Sequence, residues 1–210
     1  MLELKSLFLH QVYCHMKNGG KGWTLIARLS NADSHNWVRT SFWLFRQVTM
    51  GTANPLMNGD MISPAFWLVS GRELKITLSS DSSHTPLLQT TGDCLAGKTF
   101  RSKVKSYGGF VQEECQGNCE VQYGGQYKSI EGFQQAECSG EIQSANNIGF
   151  WCYSYWGVDY FSMLMIGGGG NNCSHVDHGF SIQANAMTFD FGNSALSPPS
   201  QSYALNLWVC

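Results

Sequence analysis

Eight cysteines, at positions 14, 94, 115, 119, 138, 152, 173 and 210, set the first constraint on what this 210-residue chain can fold into. Zinc explains them poorly. Cys115 and Cys119 are the one closely spaced pair, and no second such pair completes a four-ligand site. Disulfides are the better reading, and they place the chain in an oxidising compartment outside the cytosol. Sequence alone does not choose the pairing: Cys115 and Cys119 either close a tiny loop or each reach elsewhere.

Composition narrows the class further. Hydrophobic residues make up 43%, enough for a sizeable core, and charged residues only 13%. The 23 glycines, with many Ser, Asn and Gln, suggest a loop-rich fold of short strands. Net charge is −2 and the basic residues are scattered, which gives no electrostatic case for a nucleic-acid partner. No apolar run reaches membrane-spanning length, so no membrane insertion is expected. Neither an internal repeat nor a long linker divides the chain, and residues 1–210 read as a single domain. Residues 1–10 lack a leader core, since Glu3, Lys5 and His10 break the apolar run. Against the secreted cysteine pattern, this makes a chain truncated at its N-terminus the expectation.

Period-two patterning predicts strands at residues 11–16, 73–79 and 202–209, the second half-buried and the last returning to the central sheet, and the mostly apolar run 23–29 reads as a buried strand. Shorter apolar runs at 87–91, 148–152 and 162–166 read as further strands. Residues 30–60 read as loop with short helical pieces. Ser63 and Pro64 form a helix-start signal, residues 99–104 begin another element, and residues 132–138 suit a short helix. Trp23, Trp67, Trp151 and Trp208 sit in apolar runs and are expected in the core.

The chemistry-bearing stretch is 167–179. Four glycines precede Asn171, Asn172, Cys173, Ser174, His175, Val176, Asp177 and His178. Ordering such a run is entropically costly, which suits a tight turn or the close approach of another group. Amide, imidazole and carboxylate groups on a disulfide-braced loop suit a hard cation or ligand hydroxyls. A solvated, disulfide-tied turn is the competing reading. Asn172 opens a formal glycosylation sequon, with a cysteine at its centre. No phosphate-cradling motif is present. Trp156 and Tyr160 lie in polar sequence nearby, where a ring is available for sugar stacking. An enzyme is not expected: a Cys173–His175 nucleophile pair is inert once Cys173 is bonded, no GxSxG elbow occurs, and Glu113–Glu114 reads as a solvated face.

Residues Val12-Tyr13-Cys14-His15-Met16, a glycine-rich turn and then Gly22-Trp23-Thr24-Leu25 resemble the opening of fibrinogen-like domains. His15 stands where that pattern has Asp, and Lys21 interrupts the glycines. The run 167–170 with Cys173 and Gly179-Phe180 resembles the intelectin branch. Residues 60–71 and 122–127 resemble fibrinogen-like parts of cnidarian secreted and skeletal-matrix proteins. The resemblance implies an α+β fibrinogen C-terminal-like fold: a central antiparallel sheet, short helices and a loop-rich ligand-binding end. It implies a secreted carbohydrate-recognition (lectin-like) domain whose partners are glycans, with calcium as the cofactor. On that reading Asn171, Asn172, His175, His178, Trp156 and Tyr160 contact ligand, with Tyr153 and Tyr155 as alternative wall residues, and Asp177, His178 and Asp190 hold the metal. The family's calcium loop, with two acids one residue apart, is absent. The alternative is an extracellular structural or skeletal-matrix protein with a vestigial site, and a hydrolase is a remote third. Cys210 pairs with Cys14, with another chain to give an oligomer, or with nothing.

Overall fold

Alternating apolar positions become strand pairing here. The structure, a computed structural model, describes residues 12–16, 20–31, 46–109, 114–128, 133, 146–155, 159–167, 177–181 and 202–210. At 153–155, 159–162 and 181 it describes the backbone alone. The strands are β1 (Cys14–Met16), β2 (Gly22–Ser30), β3 (Met61–Ile62), β4 (Leu74–Leu78), β5 (Leu88–Thr90), β6 (Cys115–Tyr123), β7 (Asn147–Tyr155), β8 (Asp159–Ile166), β9 (His178–Ser181) and β10 (Ala204–Val209). All ten form one curled sheet in the order β1-β2-β10-β4-β5-β6-β7-β8-β9, with β3 pairing β2. Every pairing is antiparallel.

The α+β expectation is therefore corrected. Among the described residues helix is confined to α1 (Ala65–Leu68), α2 (Phe100–Ser106) and a 3-10 turn (Gly125–Lys128). This is an antiparallel β architecture and not the fibrinogen C-terminal-like fold that the resemblance implies. The physical reason is that the chain's long apolar stretches alternate with period two, and no described stretch sustains a helical period beyond two turns.

The main core lies on one face of the sheet. Leu74, Ile76 and Leu78 of β4 meet Leu205, Leu207 and Val209 of β10 there, together with Phe66 of α1 and Phe100 of α2. Thr99 caps α2 by accepting from the Ser102 amide (3.1 Å). Ser63 accepts from the Ala65 amide at the start of α1 (3.2 Å), one residue before Pro64, which takes the cap position. Trp151 of β7 donates its indole N–H to the Val104 carbonyl (2.7 Å), tying α2 to the far half of the sheet. Gly117 of β6 leaves room for the Tyr107 ring, which stacks on Phe150 at 5.6 Å; a Cβ at 117 would overlap that ring.

The second face is also buried near the middle of the sheet. The β2–β10 register shifts at Ile26, where Leu207 pairs Ala27 and Trp208 pairs Leu25. This bulge sends Trp23 and Leu25 to the second face, where they cluster with Trp208 and Met61. Lys75 projects to the same side, its Nζ 4.7 Å from the Trp23 ring centre and 5.0 Å from that of Trp208. Trp208 donates to Thr77 Oγ1 (2.9 Å). So β4 is buried on both faces, against the half-buried expectation for 73–79.

Residues 50–60 are bound to this face by side chains from the sheet. Arg28 donates through Nε to the Gly59 carbonyl (2.6 Å) and through one terminal nitrogen to the Thr52 (3.2 Å) and Asn54 carbonyls. Asn206 donates to the Pro55 carbonyl (2.9 Å), and Asp60 accepts from the Ser30 amide (2.7 Å).

Two disulfides settle the question left by Cys115 and Cys119: each reaches elsewhere. Cys94 bonds Cys119, and Cys115 bonds Cys152, its register partner across β6–β7. Among the described residues Cys14 and Cys210 bond no other cysteine. Cys138 and Cys173 lie outside the described residues, as do residues 132 and 134–138 of the expected short helix. Among the described residues no helix is long and apolar enough to cross a membrane, and the disulfides fit an extracellular protein.

Candidate functional site

Register across three strands builds a cleft on the second face. Lys75 pairs Gln89 across β4–β5, and Gln89 pairs Gln122 across β5–β6. Directly opposed residues of antiparallel strands project to the same side, so Gln89 and Gln122 both leave the sheet on the cleft side. Glu73 lies two residues before Lys75, at the head of the same row. Its carboxylate accepts from Lys21 Nζ at Oε1 (2.7 Å) and from Gln89 Nε2 at Oε2 (2.9 Å). Glu73, Gln89, Gln122, Lys21 and Thr91 line a cavity of about 540 Å³ that is open to solvent. That volume falls within the range of small-ligand sites.

The backbone fixes the cleft's shape. The Gly124 amide donates to the Leu87 carbonyl (2.6 Å), and a Cβ at 124 would overlap the Pro86 carbonyl. The turn after β6 is thereby pinned against the start of β5. Thr90, on the core side, accepts from the Leu74 amide (2.9 Å) and locks β4 to β5 beneath the cleft.

Charge in the cleft is balanced. The hydrogen bond and charge of Glu73 raise the Lys21 pKa, so the ammonium persists across the physiological range. The cation and the carboxylate neutralise one another, and amides and hydroxyls supply the remaining polarity. Such a lining both donates and accepts, which suits a neutral, hydroxyl-rich ligand better than an ion.

The residues singled out by sequence lie elsewhere. Asn171, Asn172, His175, Trp156 and Asp190 are outside the described residues. Tyr153, Tyr155 and Tyr160 belong to β7 and β8 by backbone alone. Asp177 and His178, at the start of β9, are both buried. Asp177 accepts from the Tyr127 hydroxyl, and His178 Nε2 is 2.7 Å from the Tyr203 hydroxyl. Burial alone pushes the His178 pKa down to about 3, so its ring is neutral. Burial first, then the Asp177 charge, raises the Tyr127 pKa well above its usual value. Gly167 ends β8 with φ +70°, and a Cβ there would overlap the Tyr127 hydroxyl and the Asp177 carboxylate. This first glycine of the run thus answers a close approach inside the protein.

Calcium fits the described part of that set poorly. The cation prefers six or more oxygen ligands, whereas His178 offers nitrogen and faces a tyrosine hydroxyl. Among the described residues no three His, Cys, Asp or Glu side chains gather to hold a metal ion. Comparison with known proteins returns neither a matching family model nor a matching curated protein.

Sequence reading missed the cleft because Glu73, Gln89 and Gln122 are far apart along the chain. The available signal was the polar alternation Glu73, Lys75, Thr77 within an apolar strand, which marks a second face with polar duties.

Proposed function

We propose that this chain is a secreted carbohydrate-recognition (lectin-like) module that takes a neutral glycan in the Glu73–Gln89–Gln122 cleft. The observation that supports this most is the cross-strand register pair Gln89–Gln122 beside a carboxylate already anchored by Lys21 and Gln89. Adjacent sugar hydroxyls act as donors and acceptors at a spacing that neighbouring amides on a sheet can match. The anchoring limits the side-chain entropy lost on binding. Glu73 is the one carboxylate among the described residues lining the cleft and is already bonded to Lys21 and Gln89, which supports a binding role. One carboxylate already bonded to Lys21 and Gln89 is a weak ligand set for calcium, so binding in this cleft is expected to survive chelation.

A second reading has its own support. Asp177 and His178 are turned inward and engaged by tyrosine hydroxyls, which suits an extracellular structural protein whose glycine-rich loop holds no ligand. Calorimetry against a panel of neutral and acidic glycans, with and without a chelator, separates the two. Heat with a neutral sugar that survives chelation and is lost in Gln122→Ala supports the module. Absence of heat with every sugar, in a protein that still unfolds cooperatively, supports the structural reading.

A further inference from the structure

The edge strand β1 is held to the second face largely by rings. Its ladder with β2 has three register pairs, from Cys14–Thr24 to Met16–Gly22, extended by a Leu25 amide to Tyr13 carbonyl hydrogen bond (2.9 Å). Beyond that, His15 and Tyr13 pack their rings on His84, at 5.1 and 5.8 Å between centres, and on Trp208, at 6.5 and 5.8 Å. The Tyr13 hydroxyl is 3.3 Å from His84 Nε2. His84 is buried under this strand, and its Nδ1 has no hydrogen-bond partner among the described residues.

We propose that His84 and His15 form an acid-sensitive latch: protonation in this cluster releases β1 from the sheet and uncovers Trp23 and Trp208. A protonated His84 needs an acceptor at both ring nitrogens, and the folded cluster offers Nδ1 none. The groups facing the ring are set against a second charge. His15 comes from β1 and Tyr13 from the residue just before that strand, Trp208 from β10 and Lys75 from β4, where its ammonium already occupies the tryptophan cage. Asp81, in His84's own turn, is the one carboxylate near it among the described residues, and its oxygens accept from the Ser83 (2.8 Å) and Thr85 (2.7 Å) amides. Burial, His15 and Lys75 together outweigh Asp81 and hold the His84 pKa below its ordinary value.

The sign of the effect follows. Above about pH 6.5 the imidazole is neutral whether β1 is docked or open. Below that, the open state takes up a proton that the docked state refuses, and each titrating group favours opening by up to about tenfold per pH unit. Opening of β1 alone suffices, because Tyr13 and His15 are the groups that β1 lays over His84. This latch holds whether or not the cleft binds a sugar.

Hydrogen exchange of the whole chain, read by mass spectrometry and corrected with unstructured peptides, tests this at pH 7.5 and pH 5.0. Peptides covering 12–16 and 22–25 should lose protection severalfold at pH 5.0, while 74–78 and 204–209 keep theirs. His84→Asn removes the titrating ring and tolerates the left-handed backbone at 84 (φ 51°), so it should abolish the step. His15→Gln should shrink the step, and serves if His84→Asn does not fold. An unchanged step in either folded variant, no step in the wild type, or equal loss across all four peptides overturns the latch.

Discussion

Replacing Arg28 by Met probes how the second face is built. Arg28 sits in the middle of β2, opposite Asn206 of β10 and Met61 of β3, with its guanidinium on three carbonyls of the 50–60 segment. Hydrogen bonds to a charged donor contribute about 1.5–3 kcal/mol each, so three at the lower figure amount to roughly 4–5 kcal/mol. Removing the guanidinium also recovers its desolvation cost, which is the main cause of its lowered pKa, and lets water reach the freed carbonyls. A net loss of about 3 kcal/mol is expected, a large share of the roughly 5–15 kcal/mol that a domain commands. Arg28→Lys keeps a charge but loses the planar fork, and should lose about 2 kcal/mol. Urea unfolding gives the loss as a shift of midpoint at unchanged slope, and limited proteolysis should show new cleavage within 50–60. A loss below about 1 kcal/mol in Arg28→Met, with no new cleavage, would refute the claim that this side chain binds the segment to the sheet.

Three further outcomes follow from the same packing. His178 is neutral when folded and takes a proton when unfolded below about pH 6.5, so stability should fall by about 1.4 kcal/mol per pH unit from there toward pH 3; His178→Gln should flatten that slope in urea titrations at several pH values. Gly167→Ala, with φ +70° and no room for a Cβ, should lower stability by at least about 2 kcal/mol, visible as a Tm several degrees lower. Breaking the Cys94–Cys119 bond with paired serines reopens a span of 25 residues and should cost about 3.5 kcal/mol by urea unfolding, with the β5–β6 edge of the cleft exchanging faster.

The sheet was legible wherever alternation was clean. Residues 73–79 and 202–209 carry apolar residues at every second place and became β4 and β10, and the mostly apolar run 23–29 became β2. β6 was not legible: Gln116, Gly117, Asn118 and Glu120 have poor strand propensity, and the strand is held by two disulfides and by pairing on both sides. β9 has four residues within a stretch rich in Gly, Asn and His, and only its pairing to β8 makes it a strand. The burial of both faces of β4 was hidden for a related reason. Lys75 looks solvent-facing until its register partner Trp208 and, through the bulge at Ile26, Trp23 cover it.

The candidate site divides the same way. A loop of Asn, His and Asp after four glycines has the composition of a ligand site, yet Asp177 and His178 point inward to Tyr127 and Tyr203, partners far away in sequence. Composition reports which groups are available, and register decides where they meet. The cleft shows the converse: unremarkable Gln and Glu residues on three strands become one lining because β4, β5 and β6 align them.

The most direct measurement is chemical-shift mapping of the isotope-labelled protein against neutral mono- and disaccharides. The Gln89 and Gln122 side-chain amides should shift together and saturably, and Gln122→Ala should weaken binding by about tenfold, the loss of one or two hydrogen bonds. Shifts confined to residues 171–178, or saturable binding undiminished in Gln122→Ala, would contradict the assignment of the ligand to the sheet.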